Sequence, residues 1–274
     1  RNRVHVFKDE DRVTDELKQS FDWVQKLQNA LFSDNIILHF QAIIDVNTRE
    51  VECYEALVRL IVDGKIIYPN DFIPSLEKAK DMNLLDRHVI GKALKLMQEN
   101  PILKRIAINL SAQAFTDDRL FSFIESKLIQ YNIDPSLVIF ELTESASLSN
   151  ITGTQRMINH LNDLGCHFSI DDFGTGFSTF AYLKQIPANS VKIDGSFVKD
   201  MLHDPIDEVL VKAINDTAHA LGKTTVAEFV EDEATLLKLQ ELGVNYAQGY
   251  YIAKPMDIDS IKAQSNPYLL KKNQ

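Results

Sequence analysis

The sequence is short of cysteine and of long apolar runs. Cys53 and Cys166 are its two cysteines, and neither belongs to a C-x-x-C pair, which excludes a disulfide framework. Both lie in apolar, strand-like runs, so we expect two small buried side chains in a reducing compartment. No apolar stretch approaches the roughly 20 residues that a membrane span needs, and no apolar segment follows the basic start RNRVHVF as in a signal peptide. We therefore expect a cytoplasmic location and no membrane contact by this chain.

Positively charged residues are also fewer than negatively charged ones. Among 274 residues, Lys and Arg number 29 against 39 Asp and Glu, which gives a formal net charge of −10. Such an acidic chain is a poor nonspecific ligand for nucleic acid polymers. If this chain handles phosphate, it needs a local cluster of bases or a bound metal ion. The content of 45% apolar and 25% charged residues is typical of a globular protein, with one large or two smaller domains.

Apolar, strand-like runs alternate with helical patterns from residue 36 onward. The eight runs cover 37–44, 51–60, 105–110, 137–142, 167–172, 190–194, 224–228 and 245–250. The helical patterns cover 84–99, 117–131, 151–164, 205–221 and 232–241. This alternation predicts an α/β fold with a mostly parallel sheet, and the number of runs fits a TIM-type (β/α)8 barrel. A doubly wound open sheet is the alternative, although no Gly-x-Gly-x-x-Gly motif follows the first run.

The first two runs are too close together for a parallel connection. A short turn containing Asp45, Asn47 and Thr48 joins them, whereas a parallel crossover needs about a dozen residues or more. We therefore predict an antiparallel hairpin at this point of the barrel.

A further helix is predicted over 12–31. Its apolar residues recur at spacings of three and four, at Leu17, Phe21, Val24, Leu27 and Leu31. Such a helix is either a connector from a preceding domain or an ordinary helix packed on the body of this one.

The strand-like runs after the first carry polar residues in the middle or at the end, and most of these are oxygen donors. The set is Glu55, Asn109, Glu141, Asp171, Asp172, Lys192, Asp194, Glu228 and Gln248. The carboxyl ends of barrel strands meet at one mouth, so we expect these side chains to share a pocket. A single acid at a strand end is usually the N-cap of the next helix, and that alternative stays open for each member.

Several carboxylates at one mouth would repel one another strongly unless cations compensate them. Mg²⁺ and Mn²⁺ prefer oxygen ligands and often occur in pairs about 3.5–4 Å apart. Asp171 stands beside a second acid and before Gly174 and Gly176, so it is the predicted bridge between two ions. Zinc fits less well, because the seven His residues are scattered along the chain.

Two bases accompany these acids. Lys192 is predicted either to hold or deprotonate an attacking water or simply to pair with the acids. Arg59, four residues beyond Glu55, has the geometry to hold a phosphate oxygen, unless it is a solvent-exposed strand end. An oxygen-rich two-metal site with Lys and Arg is typical of phosphoester hydrolysis.

These residues stand in motifs that resemble the EAL-domain cyclic di-GMP phosphodiesterases. The signature tripeptide is Glu55-Ala56-Leu57, and the resemblance covers roughly residues 32 to 258. The other matching motifs, in the family's order, are FQAII (40–44), NLS (109–111), ELTE (141–144), DDFGTGFS (171–178), VKID (191–194), AEFVE (227–231) and QGYYIAKP (248–255). The resemblance implies a modified TIM barrel with one antiparallel strand and hydrolysis of cyclic di-GMP to linear pGpG.

The resemblance also implies a role for each matching residue. One Mg²⁺ or Mn²⁺ would be held by Glu55, Asn109, Glu141 and Asp171, and a second by Asp171 and Asp172, with Glu228 bound directly or through water. Lys192 would position or activate the water. The implied substrate contacts are Gln41, Leu57, Arg59, Asp194, Gln248 and Pro255. The implied regulatory loop, which couples dimerisation to activity, comprises Phe173, Gly174, Thr175 and Gly176, steadied by Glu144.

The resemblance further implies a tandem parent protein. We expect 1–11 to be the tail of a preceding GGDEF-like domain, 12–31 a linker helix and 32–274 the phosphodiesterase domain, which would form a homodimer. The chain departs from the family's pattern at Ala42, Cys53, Phe177 and Phe229, none of which is an implied ligand; Phe229 replaces a usual Gly beside Glu228. The alternatives are a cyclic di-GMP sensor that binds without cutting and a phosphodiesterase for another nucleotide.

Overall fold

A computed structural model describes residues 22–80, 82–117, 119–175 and 180–263. Nine strands of these residues form one sheet: β1 (Ile36–Asp45), β2 (Val51–Val62), β3 (Lys65–Ile67), β4 (Ile106–Asn109), β5 (Val138–Thr143), β6 (His167–Phe173), β7 (Ser190–Ile193), β8 (Thr224–Ala227) and β9 (Tyr246–Gln248). Their order is β1-β9-β8-β7-β6-β5-β4-β2-β3, and an additional β1–β2 pairing closes the sheet. The result is a closed barrel of eight strands with β3 outside it, which confirms the predicted fold class and excludes the open sheet.

Strand β1 is the reversed strand of the barrel. It pairs antiparallel with both of its neighbours, β2 and β9, whereas the pairs from β2–β4 round to β8–β9 are parallel. The turn to β2 is fixed by Asp45, whose Oδ1 accepts hydrogen bonds from the backbone N–H of Asn47 at 2.8 Å and of Thr48 at 2.9 Å. The predicted hairpin is therefore confirmed.

Strand β2 is longer than the predicted run, and its far end pairs with a strand that the sequence analysis missed. Leu60 of β2 lies opposite Ile67 of β3. The turn between the two strands contains Asp63 and Gly64, which both have positive φ, 51° and 71°. Such Asp-Gly turns match the twist of a hairpin. The β2–β3 hairpin leads the chain to Tyr68 and Pro69, which lie beside the barrel mouth.

Helices cover the outside of the barrel. They are α1 (22–32), α2 (Pro69–Ala79), α3 (Met82–Glu99), α4 (Leu120–Tyr131), α5 (Glu144–Ser149), α6 (Ile151–Asp163), α7 (Phe180–Gln185), α8 (Gly195–Asp200), α9 (Pro205–Ala220), α10 (Glu233–Glu241) and α11 (Ile258–Ala263). Their apolar sides pack on outward-facing strand residues, and Phe40, Phe140 and Phe168 are fully buried in this layer. Among the described helices, none has the length and apolar character to cross a membrane.

Helix α1 packs on the body of the domain. Leu27 and Ala30 are 1% and 3% exposed, and the ring of Trp23 lies 6.1 Å from that of Phe72 in α2. The predicted helix over 12–31 is thus observed only for its second half, because 1–21, including the predicted tail at 1–11, lies outside the described residues.

A small apolar cluster lies inside the barrel, and we call it the apolar plug. Its buried members are Ile43, Cys53, Ala107, Ile139 and Val226, from strands β1, β2, β4, β5 and β8. Side chains from strands on opposite sides of a barrel can meet only in its interior, so the plug lies inside the barrel below its mouth. Cys53 is a free, buried thiol there, as the sequence analysis predicted.

Candidate active site

A layer of polar side chains lies directly above the apolar plug. Side chains on a strand alternate between its two faces, so positions two residues apart point to the same side. Two residues nearer the mouth than the plug lie Gln41, Glu55, Asn109 and Glu141, on β1, β2, β4 and β5, and Glu228, directly after β8. The strand register thus explains why residues far apart in sequence meet at one level of the barrel. The predicted convergence of polar side chains at the barrel mouth is observed.

The carboxylates of this layer form two overlapping groups. Ligand atoms of Glu55, Glu141 and Asp171 lie within 4.8 Å of one another, and so do those of Asp171, Asp172 and Glu228. We call these five residues the acidic cluster. Asp171 belongs to both groups, which is the position that the sequence analysis predicted for a bridging ligand.

Two adjacent residues of one strand seldom face the same site, and the backbone of β6 explains the exception. The pairing of β6 with β7 shifts register between Ile170 and Phe173, and Asp172 has a φ of 54°. A bulge of this kind re-aims a side chain that would otherwise point to the opposite face. Asp171 and Asp172 are therefore both available to the acidic cluster.

Lys192 of β7 lies at the centre of the acidic cluster and is 1% exposed. Its Nζ is 2.9 Å from carboxylate oxygens of Asp171 and Glu228, and 3.3 Å from those of Glu55 and Glu141. Burial alone would lower the pKa of Lys192, but these four acids outweigh burial and raise it well above its ordinary value. The lysine is thus held as a buried cation.

Neutral amides fix the orientation of Glu55. Its Oε1 accepts a hydrogen bond from Asn109 Nδ2 at 2.7 Å, and its Oε2 accepts one from Gln248 Nε2 at 2.6 Å. Gln41 accepts from the same Gln248 amide at 3.1 Å and donates to the carbonyl oxygen of Ala253 at 3.0 Å. Burial opposes ionisation of Glu55, yet Lys192 and the two amides outweigh it and lower its pKa.

Glu141, Asp172 and Glu228 are harder to ionise. Burial raises the pKa of Glu141 well above its ordinary value, and it raises that of Glu228 to about 8. Burial and the neighbouring Asp171 raise the pKa of Asp172 to about 6. One buried ammonium cannot compensate all five carboxylates, so their raised pKa values favour protons that bound divalent cations would displace.

The acidic cluster suits hard divalent cations. All of its ligand atoms are carboxylate oxygens, the kind of donor that Mg²⁺, Mn²⁺ and Ca²⁺ prefer. Neither group of potential ligands found among the described residues contains His or Cys, which disfavours zinc. Asn109 could add its carbonyl oxygen, because only its amide nitrogen is used by Glu55.

A groove of about 500 Å³ opens above the acidic cluster. Five of the predicted substrate contacts line it: Gln41, Leu57, Arg59, Gln248 and Pro255. Arg59 is buried, and its guanidinium lies 5.0 Å from the ring of Tyr68 while Nη1 donates to the carbonyl oxygen of Val58 at 2.8 Å. The guanidinium is thus held in place at the groove, and the solvent-exposed alternative for Arg59 is wrong.

Asp194, the sixth predicted contact, has a different local partner. Its Oδ1 accepts a hydrogen bond from the backbone N–H of Ser196 at 2.8 Å and so caps helix α8. The N-cap alternative thus holds for this acid, and its contact with a substrate stays a prediction.

The segment after β6 is tied to the strand before it. Glu144 is fully buried, and its Oε2 accepts a hydrogen bond from the backbone N–H of Gly174 at 2.8 Å. Gly174 has a φ of 111°, which suits glycine. Phe173 is buried, and Thr175 donates to the carbonyl oxygen of Asp172 at 3.2 Å. Gly176, the last residue predicted in this loop, lies outside the described residues.

Some groove residues had no role in the sequence analysis. They include Tyr68, Asn70, Glu231 and Tyr250. Glu231 and Tyr250 stand in motifs that were recognised, AEFVE and QGYYIAKP, but nothing in those motifs indicates which side chains face the groove. Tyr68 and Asn70 follow β3, so their position depends on a hairpin that the sequence analysis missed.

Fold and site together define a class of protein, an eight-stranded α/β barrel with one reversed strand and, at its mouth, an acidic cluster that could hold metal ions. The sequence profile of the EAL domain family matches residues 24–255. This chain belongs to the EAL domain family.

Relatives of known description agree with this assignment. The chain is 33% identical over 264 residues to the cyclic di-GMP phosphodiesterase PdeB of Shewanella oneidensis, covering 94% of this chain and 31% of PdeB. It is 34% identical over 247 residues to the cyclic di-GMP phosphodiesterase PdeF of Escherichia coli, covering 89% of this chain and 33% of PdeF. The chain therefore spans about a third of the length of these two relatives.

A solved structure shows the same fold. The PaMucR phosphodiesterase in complex with c-di-GMP superimposes with a TM-score of 0.82 at 31% sequence identity, covering 88% of this chain and 99% of that one.

Proposed function

We propose that this chain is a metal-dependent phosphodiesterase that hydrolyses cyclic di-GMP to linear pGpG. The observation that carries the proposal is the acidic cluster, in which two groups of carboxylates share Asp171 at the mouth of an EAL-family barrel. Relatives that bear the name cyclic di-GMP phosphodiesterase support the choice of substrate. The groove above the cluster, lined by Arg59, supplies a place for a phosphodiester.

Each member of the site has a proposed part in the reaction. Glu55, Asn109, Glu141 and Asp171 would hold one Mg²⁺ or Mn²⁺, and Asp171, Asp172 and Glu228 a second. When bound, such ions activate a water and stabilise the leaving oxygen. Lys192 would position the water by donating a hydrogen bond, and Arg59 would orient the phosphate. Gln248 holds Glu55 in place by a hydrogen bond, and Gln41 in turn bonds to Gln248.

The direct test is turnover of cyclic di-GMP by the purified chain with Mg²⁺ or Mn²⁺, followed by separation of the products. We expect linear pGpG, no product after chelation, and a loss of more than about 100-fold in Glu55→Gln, since losing a residue that only supports a ligand already costs about 10- to 100-fold. Glu99→Gln, at the exposed end of α3, is the matched control and should keep full activity. Full turnover in chelator would refute the metal-dependent mechanism, and binding without turnover would favour the sensor.

The number and identity of the ions need a separate measurement. We propose two ions per chain, with Mg²⁺ and Mn²⁺ both accepted by an all-oxygen ligand set. Titration with Mn²⁺, followed by electron paramagnetic resonance, should give a stoichiometry of two that falls in Asp172→Asn. A stoichiometry of one in the wild-type chain would contradict the paired site.

The wider context is also a proposal. We propose that 32–274 form the phosphodiesterase domain of a longer cytoplasmic protein, that 12–31 link it to a preceding GGDEF-like domain ending at 1–11, and that two copies associate as a homodimer. The relatives, of which this chain spans about a third, support a longer parent. Analytical ultracentrifugation of the chain with and without cyclic di-GMP would test the dimer, and a monomer under both conditions would contradict it.

A further inference from the structure

Phe229 occupies an unusual place at the rim of the groove. It follows Glu228 of the acidic cluster, and its φ of 55° lies in the left-handed region that favours glycine. A bulky residue in that region is a genuine outlier, and such outliers concentrate where a site requires them.

The neighbours of Phe229 prevent its backbone from relaxing. The backbone N–H of Glu228 donates to the carbonyl oxygen of Ile193 at 3.3 Å, and that of Val230 donates to the carbonyl oxygen of Gln248 at 3.0 Å. Val230 is fully buried, and its carbonyl oxygen accepts a hydrogen bond from the backbone N–H of Tyr251 at 3.0 Å. Phe229 is therefore a single residue held between two fixed ones.

The ring of Phe229 is seated on the first residue of helix α8. A Cβ atom added at Gly195 would lie 2.0 Å from ring atom Cδ2, so the ring occupies space that a side chain at that position would need. The residue is nevertheless 58% exposed and lines the groove. A large apolar surface is thus presented to water at the edge of a polar site, in a rigid setting and with little contribution to the core.

We propose that the ring of Phe229 is a platform on which one nucleobase of the substrate stacks. The inference rests on the proposed function, because it requires a nucleotide in the groove. Base stacking on an aromatic ring buries the exposed surface and tolerates any base, while the rigid backbone keeps the loss of conformational freedom small. Arg59 comes from β2, which β1 and β9 separate from β8. Phosphate and base would therefore be recognised from different sides of the groove.

The first test removes the ring. Phe229→Gly suits the observed φ, so we expect its unfolding midpoint to be no lower than that of the wild-type chain. Its KM for cyclic di-GMP should rise about 10- to 100-fold, the range that loss of one stacked base produces, with a smaller change in kcat. Phe229→Trp should stay close to the wild-type KM. The control is Leu237→Ala, which truncates a side chain of similar exposure on α10 and should change neither parameter.

The second test moves the ring without altering it. Gly195→Ala should displace Phe229 and raise KM in the same direction. In the double variant with Phe229→Gly, the added methyl group has no ring to displace and should have no further effect on KM. Additive effects of the two substitutions would show that Gly195 acts independently of the ring.

The outcomes separate this inference from the proposed function. Tight binding and turnover by the wild-type chain, a raised KM in Phe229→Gly and non-additivity with Gly195→Ala support the platform. Equal KM values for wild type and Phe229→Gly overturn the platform and leave the phosphodiesterase proposal standing. A wild-type chain that neither binds nor cleaves cyclic di-GMP, with metal present, overturns both.

Discussion

Asp86 is a buried acid outside the active site, and it makes the stability of the fold depend on pH. It lies on α3, is 5% exposed, and accepts hydrogen bonds from Ser111, from Oγ at 2.6 Å and from the backbone N–H at 3.3 Å. Burial raises its pKa to about 7, and the hydrogen bonds from Ser111 offset only part of that increase. The carboxyl group therefore keeps its proton in the folded chain under conditions in which the unfolded chain has lost it.

The sign and size of the effect follow from proton linkage. Because the folded pKa is above the unfolded value, the folded state binds more protons between about pH 4 and 7, so stability falls as the pH rises through that window and levels off above it. Because the pKa rises from the ordinary value of 3.8 to about 7, the total loss of unfolding free energy across this window is on the order of 4 kcal/mol. About 2.5 kcal/mol of that loss falls between pH 5 and pH 8. The whole free energy of unfolding of a typical domain is only about 5–15 kcal/mol.

The assay is urea unfolding of the wild-type chain and Asp86→Asn at pH 5 and pH 8, in chelator. The amide has the shape of the carboxyl group and can still bond to Ser111, but it does not titrate. From pH 5 to pH 8, the free energy of unfolding of the variant should therefore rise by about 2.5 kcal/mol relative to that of the wild-type chain. All other titrating groups are shared, so the difference isolates Asp86. A difference that is the same at both pH values, or that favours wild type at pH 8, would refute the reasoning.

Two further predictions concern other buried positions. Lys192→Met leaves four carboxylates without their buried cation, so we expect the free energy of unfolding in chelator to fall by about 3–5 kcal/mol. Mn²⁺ should restore part of this stability, and turnover should be lost. Unchanged stability would contradict the central role of the ammonium. Gly249→Ala places a Cβ 2.1 Å from the carbonyl oxygen of Val230, so we expect the free energy of unfolding to fall by about 1–3 kcal/mol. Gly91→Ala in α3 is the control, because its Cβ meets only an ordinary contact with the ring of Phe123 at 3.5 Å. It should raise the free energy of unfolding by about 0.5–1 kcal/mol. Urea unfolding measures both, and equal signs would argue against the close approach at Gly249.

The regular elements were predictable because their patterns are long enough to read. All eight predicted runs are strands, and the five predicted helical patterns correspond to α3, α4, α6, α9 and α10. The missed elements are shorter or interrupted: β3 has three residues, and α5, α7, α8 and α11 have six each. Six residues are less than two helical turns, too few for a periodicity of 3.6 to stand out. Helix α2 has 11 residues but contains Pro74, which masks its pattern.

The candidate site was predictable to a different degree at each position. Residues at the ends of parallel strands must meet at one mouth, so the grouping of Glu141, Asp171 and Glu228 followed from strand order alone. The alternative role of such acids as helix caps was equally visible, and only the structure separated Asp194, which caps α8, from the others. Local sequence cannot make that distinction, because it depends on whether a side chain faces the barrel interior or the next helix.

By itself, the sequence determined the class of fold, the reversed strand and the kind of ligand. Alternating apolar runs, a turn too short for a crossover and an oxygen-rich donor set each follow from local chemistry. The tertiary structure alone decided how those donors are arranged. The bulge in β6 turns Asp172 toward the acidic cluster, the closed barrel places Lys192 among four acids, and the glycine at Gly195 makes room for the ring of Phe229. Each of these depends on contacts between distant segments, which no local pattern encodes.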